Sequence, residues 1–151
     1  MMQRGNITLR ALEPKDVDIM YCWENDTRIW ECSNTHLPLS RHVLKKYVEQ
    51  ADRDIYRNGQ LRLMIELNDN AIPVGMLDMF DYDSFHQRAG IGILIHEDYR
   101  GQKIAKTALQ LFVDYLFRFF PLHQLYCNIE AGNTPSLALF KDVGFTECGR
   151  R

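Results

Sequence analysis

The chain has 151 residues, 46% hydrophobic and 25% charged, with a formal net charge of −2. That length holds one domain with a real core, and residues 1–151 read as a single domain. The balance of charge gives no electrostatic case for nucleic acid or an anionic membrane surface, both of which favour basic proteins.

No stretch approaches the ~20 apolar residues of a membrane span, and Met1–Asn6 lacks the apolar core of a signal peptide, so the cytoplasm is the expected compartment. The cysteines, Cys22, Cys32, Cys127 and Cys148, form no CxxC pair and lie near no His at zinc-site spacing. They read as reduced thiols, with no metal expected.

In chain order, Thr8–Leu12 alternates loosely and predicts a first strand. Glu13-Pro14 opens a helix with Val17, Met20 and Tyr21 on its apolar stripe, because Pro at the first helical position gives up no hydrogen bond. After a polar loop with Trp30, Glu31 and Cys32, Ser40 caps a second helix that turns Val43, Leu44, Tyr47, Val48 and Ala51 to one face. Leu61, Leu63, Ile65 and Leu67 alternate with Arg62, Met64 and Glu66, the pattern of a half-buried strand. Asn68-Asp69-Asn70 turns the chain into a paired strand over Ile72–Asp81, and Arg88–Ile95 is the next strand. Gly101–Phe120 is a long helix and Gln124–Glu130 a strand. Thr134–Val143 is a short helix closed by Gly144, and Phe145–Gly149 starts a last strand. The order predicts a mixed α/β (α+β) layer domain, a mostly antiparallel sheet flanked by helices.

One junction carries chemistry. The strand ending at Ile95 runs through His96-Glu97-Asp98-Tyr99 into Arg100-Gly101-Gln102-Lys103-Ile104-Ala105, where the long helix opens. Unpaired N–H groups at a helix start, a Gly that admits close approach, and the charges of Arg100 and Lys103 make an anion site suited to a pyrophosphate. The segment resembles the signature of the GCN5-related N-acetyltransferase superfamily, Arg/Gln-x-x-Gly-x-Gly/Ala between a strand and a long helix, with Arg100 and Ala105 at its ends. A second stretch is similar to the superfamily's other motif, with Asn133, Ser136, Phe140, Gly144 and Phe145 at matching positions. The resemblance runs from the first strand to Phe145.

The resemblance implies acetyl-CoA as co-substrate. Backbone amides of Gln102, Lys103, Ile104 and Ala105, beside Arg100 and Gly101, would hold its pyrophosphate. Ile93, Leu94 and Ile95 would offer strand backbone to the pantetheine and thioester, with a Leu94 N–H facing the developing oxyanion. Asn133, Ser136 and Phe140 would complete the cofactor side. Two residues depart from the pattern. Lys103 replaces the signature's central Gly, which narrows the approach to the phosphate. Phe140 stands where many members carry a proton-donating Tyr. Ser136 is therefore nominated as the proton donor, with water as its competitor.

The acceptor amine must lose a proton before it attacks. Asp78 is the first candidate for that step. Asp81, Asp83 and His86, with Trp30 and Glu31 in the loop over the acceptor, are further candidates for the amine site. A small cationic amine or polyamine is favoured, and a peptide N-terminus or an aminosugar stays open. The rival expectation is a non-catalytic acyl-CoA-binding module. Since the family usually has two strands after the second short helix, the final strand is expected to be short or missing, and an unpaired edge there would invite a homodimer.

Overall fold

A computed structural model describes residues 2–30, 37–51, 55–101 and 103–150. Among these residues six strands form one sheet in the order β1-β2-β3-β4-β5-β6. They are β1 (Met2–Arg4), β2 (Ile7–Ala11), β3 (Leu61–Leu67), β4 (Ile72–Asp83), β5 (Arg88–Ile95) and β6 (Gln124–Tyr126). Neighbours from β1 to β5 are antiparallel and β6 runs parallel to β5. This is the mixed, mostly antiparallel sheet that the alternating segments and turn residues predict.

The helices are α1 (Val17–Glu24), α2 (Thr27–Trp30), α3 (Arg41–Gln50), α4 (Ile55–Asn58), α5 (Ile104–Phe119) and α6 (Thr134–Asp142). Under α5, Ala108, Leu109, Phe112 and Leu116 bury themselves against Leu9, Leu63, Ile65, Leu77 and Ile91 of the sheet. On the opposite face, Met20 and Trp23 of α1 and Leu44 and Val48 of α3 close over Met64 and Met76. The entry to α1 is pinned by charge. Arg10 donates to both oxygens of buried Asp16 at 2.8 and 2.9 Å and to Glu66 at 2.5 Å.

Several local expectations are corrected. β1 is an extra strand, turned into β2 by Gly5 at φ 58°. β3 is not half-buried: Met64 is fully buried because α1 and α3 cover the second face. Val43 is 48% exposed, since Leu44, Val48 and the partly buried Tyr47 form the face that α3 turns to the sheet. α5 begins at Ile104, because Gly101 and Lys103 both have positive φ, at 77° and 63°. β6 stops at Tyr126, where its ladder with β5 ends. Among the described residues no strand follows it. Phe145, expected to open a strand, folds back to cap α6: its N–H donates to the Phe140 carbonyl at 2.9 Å and its ring meets Phe140 edge-on at 5.1 Å. Gly144 at φ 108° makes that reversal.

Candidate active site

The site is organised by the way β5 parts from its neighbours. On one side β4 lies close, because a Cβ on Gly75 would run into the Leu94 carbonyl and the Ile95 side chain. On the other side the ladder to β6 covers only Arg88, Ala89 and Gly90. From Ile91 to Ile95 that edge of β5 has no strand partner among the described residues. Ile93, Leu94 and Ile95 thus carry edge backbone groups that can pair with an extended ligand arm.

The open edge leads to the anion turn. The Arg100 guanidinium donates to the Ile95 carbonyl at 3.2 Å, tying the turn to the strand. Lys103 is the residue before α5 and adopts the left-handed conformation, which costs a residue with a Cβ about 1 kcal/mol. Its side chain does not cap the helix, whereas Ser40 caps α3 and Asn133 caps α6 by accepting from Ser136 N–H at 3.4 Å. First-turn amides of α5 at Ile104 and Ala105 are therefore placed to receive an anion. The Ile104 side chain is buried in the core, so only its backbone can serve. Gln102 lies outside the described residues.

Asn133 spends its amide oxygen on the α6 cap, leaving its NH2 for a ligand. Ser136 is half-buried on the first turn of α6, and Phe140 is buried against Phe145. Burial, and secondarily Cys148, push the Cys127 thiol up to about 11, which leaves almost no thiolate near neutrality. Covalent catalysis through Cys127 is disfavoured accordingly.

On the α1/α3 face, the antiparallel register sets Arg62, Asp78 and Gly92 side by side across β3, β4 and β5. Arg62 donates to both Asp78 oxygens, at 2.6 and 3.0 Å, and to Glu24 at 2.5 Å. Its guanidinium lies 5.3 Å from the Tyr47 ring centroid. Burial works against the Arg62 cation, but Asp78, Tyr47 and Glu24 outweigh it and raise its pKa further. The Tyr47 hydroxyl is itself pushed up by burial. The side chains of Arg62 and Glu24 are 16% and 14% exposed, that of Asp78 34%, so the cluster opens to solvent at Asp78. In the sequence Glu24, Tyr47 and Arg62 carry no site role: Tyr47 reads only as part of a helix face and Arg62 only as an alternating strand residue. The available signal was a lone Arg on a β3 face that also carries Met64.

The remaining candidates divide. The Trp30 indole donates to the Glu24 carbonyl at 2.7 Å, which joins α2 to the end of α1 beside the cluster. Glu31 lies outside the described residues. Asp81 is exposed at an irregularity of β4, with φ 50°. Asp83 and His86 pair at 2.7 Å in the exposed turn before β5. The His86 backbone N–H, then its ring, hold the Asp83 carboxyl below its usual range. Arg88, where β5 begins, is four residues from Gly92, roughly 13 Å along the strand, and the pair sits beyond it in the turn, so it is not brought together with Asp78.

Residues 6–146 match the acetyltransferase (GNAT) domain. The chain belongs to the GNAT acetyltransferase family. A spermidine N(1)-acetyltransferase of Vibrio cholerae is 25% identical over 96% of this chain and 82% of its own. The crystal structure of a V. cholerae spermidine N-acetyltransferase in complex with CoA and spermine has a TM-score of 0.84 at 24% identity, covering 97% of this chain and 84% of that one. A ribosomal L7/L12 alpha-N-protein acetyltransferase in complex with coenzyme A has a TM-score of 0.82 at 19% identity, covering 97% and 83%. As a GNAT acetyltransferase the chain is an enzyme. Among the described residues no helix is long and apolar enough to cross a membrane, and no group of three or more His, Cys, Asp or Glu is arranged to hold a metal.

Proposed function

We propose that this GNAT enzyme transfers an acetyl group from acetyl-CoA to a primary amine of a small cationic acceptor, by direct attack. The observation that carries the reading is the Arg62–Asp78–Glu24 cluster beside the open edge of β5. Two carboxylates against one guanidinium leave surplus negative charge there, which draws an ammonium. The likeness to spermidine acetyltransferases supports the same class of acceptor.

Acetyl-CoA supplies an activated thioester. Arg100, Gly101, Lys103 and the first-turn amides of α5, Ile104 and Ala105, hold its pyrophosphate. Ile93, Leu94 and Ile95 align its arm along β5, and the Leu94 N–H stabilises charge on the acyl oxygen. Asn133 and Phe140 line the α6 side. Asp78, oriented by Arg62, attracts the ammonium, and its exposed side passes the surplus proton to water. Ser136, in place of the hydroxyl that Phe140 lacks, donates a proton to the departing CoA thiolate, giving the free thiol, and regains a proton from water. Trp30 borders the acceptor beside Glu24, while Asp81 and His86, further along the hairpin, reach only an extended acceptor.

Measuring free thiol released from acetyl-CoA with a panel of polyamines, simple primary amines, aminosugars and peptide N-termini tests the reading. Fastest release with the polyamines is the expected result. Saturable acetyl-CoA binding without release on any amine would sink it and favour a non-catalytic acyl-CoA-binding module, the reading that Phe140 supports.

A further inference from the structure

Three glycines lie where β4 and β5 face each other, and two have a packing reason. Gly75 lets β4 approach the Leu94 carbonyl, and Gly90 lies beneath the Phe80 ring, which any side chain there would strike. Gly92 has no such reason. Among the described residues, a Cβ built on it would meet only Phe80 Cε1, at 3.9 Å, an ordinary contact. Its φ is not in the left-handed region, so the backbone does not demand glycine either. Glycine inside a strand weakens the strand, and one that neither packing nor conformation explains marks the close approach of something else.

The surroundings of Gly92 say what approaches. It is half-buried, so solvent reaches the sheet at this point. Asp78 stands directly across from it on β4, with its partly exposed carboxylate held by Arg62. Its own strand is unpaired on the far side from Ile91 onward. Leu94, two residues along on the same face, closes one end against Met76 and the second core. Phe80 closes the other. The uncovered backbone at Gly92 is thus a gap, bounded by Leu94 and Phe80, that runs from the carboxylate to the open edge of β5.

We propose that Gly92 is a specificity-determining residue: its missing side chain is the passage through which the acceptor amine crosses β5 from Asp78 to the acyl donor. This inference rests on the acetyl-transfer reading above. A side chain at residue 92 excludes acceptors by size while leaving the fold and the cofactor turn intact.

Gly92→Ala and Gly92→Val, compared with the wild type, test it. Three quantities are measured: the thermal midpoint, acetyl-CoA affinity by calorimetry, and kcat/KM for a slim amine (ethylamine) and a branched one (isopropylamine). The expected result is an undiminished Tm and acetyl-CoA affinity in Gly92→Ala. Its kcat/KM should fall about tenfold and that of Gly92→Val about a hundredfold, the scale on which ~1 Å of misplacement acts at a reacting centre. The branched amine should lose more than the slim one. If Gly92→Val unfolds, the two amines compared in Gly92→Ala decide. Unchanged kcat/KM in Gly92→Ala, or a loss that tracks acetyl-CoA affinity instead of acceptor size, overturns the inference while transfer by the wild type keeps the function intact. A wild type that binds acetyl-CoA and acetylates no amine overturns the transfer reading, and the passage with it.

Discussion

The two faces of the sheet use the same strands to different ends. Under α5 the face is dry: Ala108, Leu109, Phe112 and Leu116 are fully buried, and apolar strand residues meet them. Under α1 and α3 an equally buried patch around Met20 and Met64 gives way, two residues along β3 and β4, to Arg62, Asp78 and Glu24. The first face holds the fold together. The second gives up close packing at Gly92 and sets charges there, a combination that costs stability and leaves room for a ligand. The same contrast separates the helix starts, since α6 and α3 are capped by side chains while α5 opens from a strained Lys103 without one.

The comparison can be broken most severely on the dry face. Phe112→Ala should cost about 4 kcal/mol by leaving a cavity, read as a large fall in denaturant midpoint with no selective effect on either substrate. Arg62→Met should cost about 3 kcal/mol, because it strands two partly buried carboxylates. Adding Asp78→Asn and Glu24→Gln to it should restore most of the stability and none of the activity. If Arg62→Met is as stable as the wild type, the cluster is not the electrostatic unit described.

Asp78→Asn alone sharpens the contrast. It should lower kcat/KM for a cationic amine about a hundredfold, a loss near 2.7 kcal/mol of transition-state stabilisation, with acetyl-CoA affinity unchanged. Unaltered turnover would remove Asp78 from the acceptor site. The smallest effect is expected at Lys103→Gly. Relief of the left-handed strain should raise Tm by about 2 °C, and loss of the cation should flatten the salt dependence of acetyl-CoA binding. A lowered Tm would contradict the strain.

Much of this architecture was legible in the residues. The alternation over Leu61–Leu67, the turn at Asn68–Asn70, the Ser40 cap and Gly144 after the short helix are local signals, and each produced the expected element near the expected bounds. The misses share one cause. The length of β6, the fate of Phe145 and the burial of Met64 depend on what lies across from them, and periodicity within a segment carries no information about a partner from elsewhere in the chain. Within the candidate site, Asp78 was readable as an acid on the strand beside β5, but its pairing with Arg62, 16 residues earlier, was not.

By itself, then, the sequence determined most of the elements, the strand-to-helix junction between Ile95 and Ile104 and the family, because these rest on spacing and local backbone chemistry. The tertiary structure decided that β5 and β6 part after Gly90, that Lys103 takes the conformation usually reserved for glycine, and that Glu24, Arg62 and Asp78 meet beside Gly92. Those outcomes follow from strand register and from the helices that cover each face, which bring together charges and gaps that lie far apart along the chain.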